Sequence, residues 1–242
     1  MSGSDNGGDM SEANRVDVPK TGSGSRFPLG DRPIAAGAEA RQERRVLTVL
    51  CYDLVSSTQL LGILGIEDFQ DLISAFQQLA REAITSHSGT LRVEAGDGGV
   101  AVFPIDIGAK DAASLAISAG LEIVKGCRRL AAARGRSDLQ VRVGVATSLT
   151  LIQKGADTSA QDTVTGPAFA LATRLQAMAR PDTVLVCNET RNLTRRSHVF
   201  TFRGSHTIKG FAEPEQIWQA LSHKREVDRF FAFGRLAGPL IG

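Results

Sequence analysis

The segment Val46-Leu47-Thr48-Val49-Leu50-Cys51-Tyr52 is nearly all apolar and rich in β-branched residues. A strand with one wet face alternates polar and apolar side chains. This one does not, so both of its faces must be buried inside a sheet. Structure is expected to begin at Arg45, and Asp53 ends the run.

The patterns that follow supply the rest of the sheet and its cover. Glu67 to His87 carries Phe69, Leu72, Ile73, Phe76, Leu79, Ala80 and Ala83 at helical spacing, and Ser88-Gly89 stops it. Thr90–Glu94 and Val100–Phe103 are short extended runs joined through Ala95-Gly96-Asp97-Gly98-Gly99, where Asp-Gly signals a hairpin. Asp111 to about Arg134 is a second amphipathic helix, and Leu139–Thr147 alternates as a strand. Residues 148–162 are polar and read as a loop. A third helix runs from Thr163/Gly166 to Met178, stopped by Ala179-Arg180-Pro181. Thr183–Cys187 is a strand and Asn188–Arg195 a short helix. Val199–Phe202, Ser205–Ile208 and Pro214–Leu221 are late strands around Lys209-Gly210-Phe211, with Phe200, Phe202, Phe211 and Trp218 expected in their core. The order β-α-β-β-α-β-α-β plus late strands predicts an α+β fold. It has a ferredoxin-like β-α-β-β-α-β core, with helices on a mostly antiparallel sheet.

Composition sets the boundaries. Residues 1–44 are rich in Gly, Ser, Pro and charge, and cannot bury enough surface to offset ordering, so a disordered tail is expected there. The domain spans 45–221, and 222–242, with Phe230, Phe231 and Phe233, form a tail or linker. A net charge of +2 and the lack of a basic stripe with interleaved aromatics argue against nucleic acid. No apolar run approaches the ~20 residues of a membrane span, and the polar N-terminus lacks a signal-peptide core. Cys51, Cys127 and Cys187 are widely spaced among apolar neighbours and read as buried thiols. A cytoplasmic protein is expected.

Two acids stand out. Asp53 follows the buried strand, and Asp97 sits at the hairpin tip. In this topology the strand end and the tip share one sheet edge, which brings two carboxylates together. Such a pair repels unless a divalent cation lies between them, and Mg²⁺ with a triphosphate fits the hard oxygen ligands. Ser56, Ser57 and Thr58 follow at a helix start, whose N–H groups can cradle phosphate. Each feature also has an ordinary structural explanation: Asp53 or Ser56 as a cap, Asp97-Gly98 as a turn.

The segments ERRVLTVLCYDLVSSTQL, VEAGDGGVAVF, LQVRVGVAT, TVTGPAFALATRLQAMARPDTVLV and HTIKGFAEPEQIW resemble, in order, the class III adenylate/guanylate cyclase catalytic domain. The likeness is nearest to bacterial cyclase domains that precede an ATPase and helical-repeat region. It implies a homodimer that makes a cyclic nucleotide from a nucleoside triphosphate with two Mg²⁺ or Mn²⁺ per site. ATP is the default, with GTP or a pyrimidine triphosphate as alternatives. It also implies that Asp53, Asp97 and the Leu54 carbonyl hold metal. By the same likeness Arg174 steadies the α-phosphate, Lys209 the terminal phosphates, and Thr163 reads the base. Without the resemblance, Arg174 reads as a surface arginine and Lys209 as a turn lysine.

Two positions depart from the family pattern. Val93 stands where a base-reading lysine is expected; adjacent Arg92 points to the other face if the strand alternates regularly. Ala170 replaces a transition-state asparagine. Low activity or altered base preference follows. A dimerising, nucleotide-binding regulatory module without turnover is the alternative.

Overall fold

The computed structural model describes residues 42–103, 106, 108–153 and 163–224. The elements are β1 (Gln42–Leu54), α1 (Ser57–Leu64), α2 (Ile66–Ser86), β2 (Thr90–Ala95), β3 (Gly98–Phe103), α3 (Ala109–Ala133), β4 (Val141–Gln153), β5 (Thr163–Thr165), α4 (Pro167–Met178), β6 (Thr183–Cys187), α5 (Asn188–Thr194), β7 (His198–His206) and β8 (Glu215–His223). Seven strands form one sheet in the order β2-β3-β1-β4-β6-β8-β7, and β5 pairs with β4. Among the described residues only the β4–β6 pairing is parallel.

β1 is buried on both faces, as its composition requires. Leu50, Tyr52 and Leu54 face a core built with α2 and α3. Leu47, Val49 and Cys51 face a second core under α4. Each fully buried Leu, Ile or Phe contributes roughly 1.5–3 kcal/mol. The helices approach closely because their inner residues are small. A Cβ on Gly120 of α3 would lie 3.1 Å from Val143 Cγ1. A Cβ on Gly144 of β4 would overlap the α4 backbone at Ala172 and Gln176.

Several expectations change. Thr163–Thr165 is strand β5, so the third helix starts at Pro167 and not at Thr163/Gly166. β4 does not end at Thr147 but continues to Gln153, because residues 148–153 pair with Gln42–Leu47 of β1. Pairing satisfies the backbone there. His198–His206 is one strand, not two; bulges near Val199 and Gly204 replace the expected break. Phe202 is 49% exposed rather than core, with its ring 4.9 Å from Trp218. The three cysteines are free and buried. No described helix is long and apolar enough to cross a membrane. β1 begins at Gln42 rather than Arg45 and β8 runs to His223, so residues 42–44 and 222–223 of the expected tails 1–44 and 222–242 are strand. Residues 1–41 and 225–242, Phe230, Phe231 and Phe233 included, lie outside the described residues.

Candidate active site

Alternation along β1 decides where Asp53 points. Cys51 faces α4, so Asp53, two residues on, emerges from the same face beyond the edge of that core. In register Asp53 stands opposite Gly98 of β3 on one side and Arg142 of β4 on the other. Gly98 leaves the room the carboxylate needs: a Cβ there would lie 2.7 Å from Asp53 Oδ1 and 2.7 Å from the Tyr52 carbonyl oxygen.

The β2–β3 hairpin brings the second carboxylate. Its two turn residues are Gly96 and Asp97. The sequence signal pointed one residue later, to Asp97-Gly98. Gly96 takes the positive φ, 57°, while Gly98 is reserved for the close approach to Asp53. The Leu54 N–H donates to the Asp97 carbonyl at 3.0 Å and ties the tip to the end of β1. Burial pushes the Asp53 carboxyl up to about 6, and the nearby Asp97 charge pushes the same way; Arg142 and the Gln176 side chain oppose them. Two half-buried carboxylates that repel each other make a place where a divalent cation is favourable.

Arg142 was not singled out in the sequence. Its Nε is buried without a hydrogen-bond partner, beside the carboxylates. Only the β1–β4 register identifies it, since the alternation of β4 marks Arg142 merely as polar. The segment 56–58 follows directly. Ser56 adopts a left-handed conformation (φ 55°, ψ 36°) that turns the chain from β1 into α1, and no side chain caps that helix. Its N-terminal N–H groups are a favourable seat for phosphate.

The residue types suit Mg²⁺ or Mn²⁺: two carboxylates, an adjacent backbone carbonyl at Leu54, and space for phosphate oxygens. Among the described residues no group of three or more His, Cys, Asp or Glu side chains converges, so no closed thiolate or imidazole cage competes for the role.

The remaining expected residues lie elsewhere in the chain. Thr163 pairs with Gln153 at the far end of β4. From Arg142 to Gln153 is eleven residues, or roughly 35 Å of strand. Lys209 is exposed on the β7–β8 loop, next to the start of β8, also towards the end of the sheet away from Asp53. Arg174 is exposed on α4, one turn after the exposed Ala170. The structure therefore brings together Asp53, Leu54, Asp97 and Ser56–Thr58, and separates them from Thr163 and Lys209.

Alternation along β2 is not regular at Arg92. The β2–β3 register shifts between Leu91 and Val93, which leaves Arg92 as an inserted bulge residue. Arg92 and Val93 are both exposed, Val93 at 46%.

Residues 39–222 match the family model of the adenylate and guanylate cyclase catalytic domain. An uncharacterized protein of Rhizobium meliloti (strain 1021) is 56% identical over 214 residues, which are 88% of this chain and 21% of that protein. The chain thus spans about a fifth of that relative. The adenylyl cyclase CyaB of P. aeruginosa has a similar structure, with a TM-score of 0.69 at 28% identity, covering 77% of this chain and 98% of that one. The guanylate cyclase domain of RhGC from Catenaria anguillulae, in complex with GTP, has a TM-score of 0.64 at 13% identity, covering 75% and 100%. At that identity the likeness concerns the fold alone.

Proposed function

The chain belongs to the adenylate and guanylate cyclase catalytic-domain family, and we propose that it converts a nucleoside triphosphate, by default ATP, into a 3′,5′-cyclic nucleotide and pyrophosphate. The observation that carries this reading is the meeting of Asp53 and Asp97 at one end of β1, over the space Gly98 leaves open. Magnesium or manganese held by Asp53, Asp97 and the Leu54 carbonyl would supply Lewis acidity to the ribose 3′-hydroxyl and to the leaving phosphates.

The chain's own residues do the rest. The N–H groups at Ser56–Thr58 hold the phosphate chain at the start of α1. Arg142 adds a fixed positive charge beside it, its buried Nε available to a phosphate oxygen. The 3′-oxygen forms a bond to the α-phosphorus as the bond to pyrophosphate breaks, and the hydroxyl proton is released. Arg174 is exposed on α4, and Lys209 is exposed towards the other end of the sheet. They serve the site of a second copy, with Thr163 reading the base there. A head-to-tail homodimer with two equivalent sites follows.

Ala170 favours a second reading. Losing one preorganised donor costs about 2.7–4 kcal/mol, or roughly 10²–10³ in rate. A dimer that binds nucleotide without measurable turnover would then act as a regulatory module.

The test is to incubate purified protein with Mg²⁺ or Mn²⁺ and each triphosphate and to measure cyclic product by mass spectrometry. Turnover abolished by Asp53→Ala and by Asp97→Ala supports the enzyme. Persistence in either variant refutes the assigned site, and nucleotide binding without product supports the module. Mixing inactive Asp53→Ala with inactive Arg174→Ala should restore up to about a quarter of wild-type activity, because half of the dimers are mixed and each carries one intact site.

A further inference from the structure

We propose that Gln77 of α2 is a positioning residue for the Asp97 carboxylate. The inference rests on the metal-site reading above and adds a residue outside it.

The two strands of the hairpin that carries Asp97 are unequally held: β3 pairs with β1 as far as Gly98 opposite Asp53, while the Gly96 side of the tip belongs to the outer strand. Among the described residues β2 is an edge strand and pairs only with β3. The bulge at Arg92 interrupts even that ladder. Yet Asp97 must stay beside a carboxylate that repels it. Something besides the ladder must fix the tip.

Two hydrogen bonds do so, on adjacent carbonyls. The Asp97 carbonyl accepts from the Leu54 N–H at 3.0 Å. The Gly96 carbonyl, one residue earlier, accepts from Gln77 Nε2 at 2.6 Å. With both carbonyls held, the peptide plane leading into Asp97 has a fixed orientation, and so does the Cα–Cβ bond that aims the carboxylate.

Gln77 is well placed to act as a rigid arm. Its neighbours Phe76 and Ala80 are completely buried, which locks α2 against the sheet. Arg81, one helical turn further on, reaches the same hairpin: its Nη2 lies 2.6 Å from Glu94 Oε2. That pair is half-exposed on the arginine side and contributes little by itself. The Gln77 bond acts directly on the residue before Asp97. Residues that orient a ligating carboxylate typically matter by 10–100-fold in metal affinity.

The test uses the whole chain. Mn²⁺ is titrated by electron paramagnetic resonance in the presence of a non-hydrolysable triphosphate, and thermal unfolding is followed in parallel. Gln77→Met keeps the side chain's size but removes the donor. It should bind Mn²⁺ about tenfold or more weakly at a temperature where it is fully folded, while Glu82→Gln on the outer face of α2 matches wild type. If Gln77→Met does not fold, Gln77→Asn makes the same test, since its amide falls a methylene short of the Gly96 carbonyl. Unchanged affinity in the Gln77 variant, with binding lost in Asp97→Asn, overturns this inference and leaves the metal site standing. Wild-type protein that binds no Mn²⁺, or Asp53→Asn and Asp97→Asn variants that bind it normally, overturns both.

Discussion

Replacing Gly98 with alanine tests the close approach of β3 to Asp53 most directly. The φ of Gly98 is not positive, so alanine meets no backbone penalty and the outcome depends on space alone. The new Cβ would lie 2.7 Å from Asp53 Oδ1 and 2.7 Å from the Tyr52 carbonyl oxygen, where ordinary contact begins at 3.4 Å. The difference, 3.4 − 2.7, requires a shift of 0.7 Å. The Tyr52 oxygen belongs to a central strand paired on both sides, so it cannot yield cheaply. The hairpin must lift instead, and Asp97 moves with it. Overpacking of this kind costs about 1–3 kcal/mol, a fall of roughly 2–12 °C in Tm for a domain of this size. A misplacement approaching 1 Å in a catalytic group costs on the order of 10²-fold in rate. The expected result is a modest loss of stability with a loss of about 100-fold in cyclic-nucleotide formation. Gly62→Ala is the contrast: a Cβ there meets nothing within 4 Å, and the position lies inside α1. It should stabilise by about 0.5–1 kcal/mol. A Gly98→Ala protein with wild-type turnover and Mn²⁺ affinity would refute the reasoning.

Protonation of Asp53, held up at about 6 by burial and by Asp97, opposes metal. Mn²⁺ affinity measured by titration should therefore weaken about tenfold per pH unit below that point. In the metal-free protein the same raised pKa acts oppositely: the fold binds more protons than the unfolded chain, and Asp53 gains stability as pH falls from about 6 towards 3.8. His198 runs the other way. Burial, and then His223 with its ring 4.9 Å distant, depress it to about 4, so its contribution is present above its ordinary 6.5 and is lost as pH falls to about 4. Tm between pH 7 and 5 should consequently fall more steeply in Asp53→Asn than in wild type, and less steeply in His198→Gln. Ala170→Asn restores a donor one turn before Arg174; it should raise kcat by about 10²-fold, read in the same product assay.

The residues that fixed the architecture in advance were those whose burial is set by the local pattern. The unbroken run Val46–Tyr52 required cover on both faces, and two helical faces supply it. Alternation then places Asp53 by simple parity, and Asp97 follows from the turn residues around it. What could not be read depends on partners distant in sequence. Arg142 becomes a site residue only through its register with Asp53, eighty-nine positions away by subtraction of 53 from 142. Residues 148–153 looked like loop because they run without a break into the polar stretch 154–162, while their backbone had a partner in Gln42–Leu47. Arg92 was misplaced because alternation counts residues, and a bulge adds one.

The separation of the two residue sets makes a further demand. Asp53 and Thr163 pair with opposite ends of β4, at Arg142 and Gln153, eleven residues apart, a strand length of roughly 35 Å that no side chain spans. A chain acting alone would therefore hold metal and phosphate without Thr163, whatever Arg174 reaches, and would lack the base-reading contact. Under the proposed function, two chains arranged head to tail would bring each set to the other's complement. Specific activity should then fall on dilution in proportion to the fraction of chains in dimers, as followed in an analytical centrifuge. Activity per chain that stays constant while the sedimenting species becomes monomeric would mean that the site is closed within one chain, and that the roles given to Thr163 and Lys209 belong to other residues.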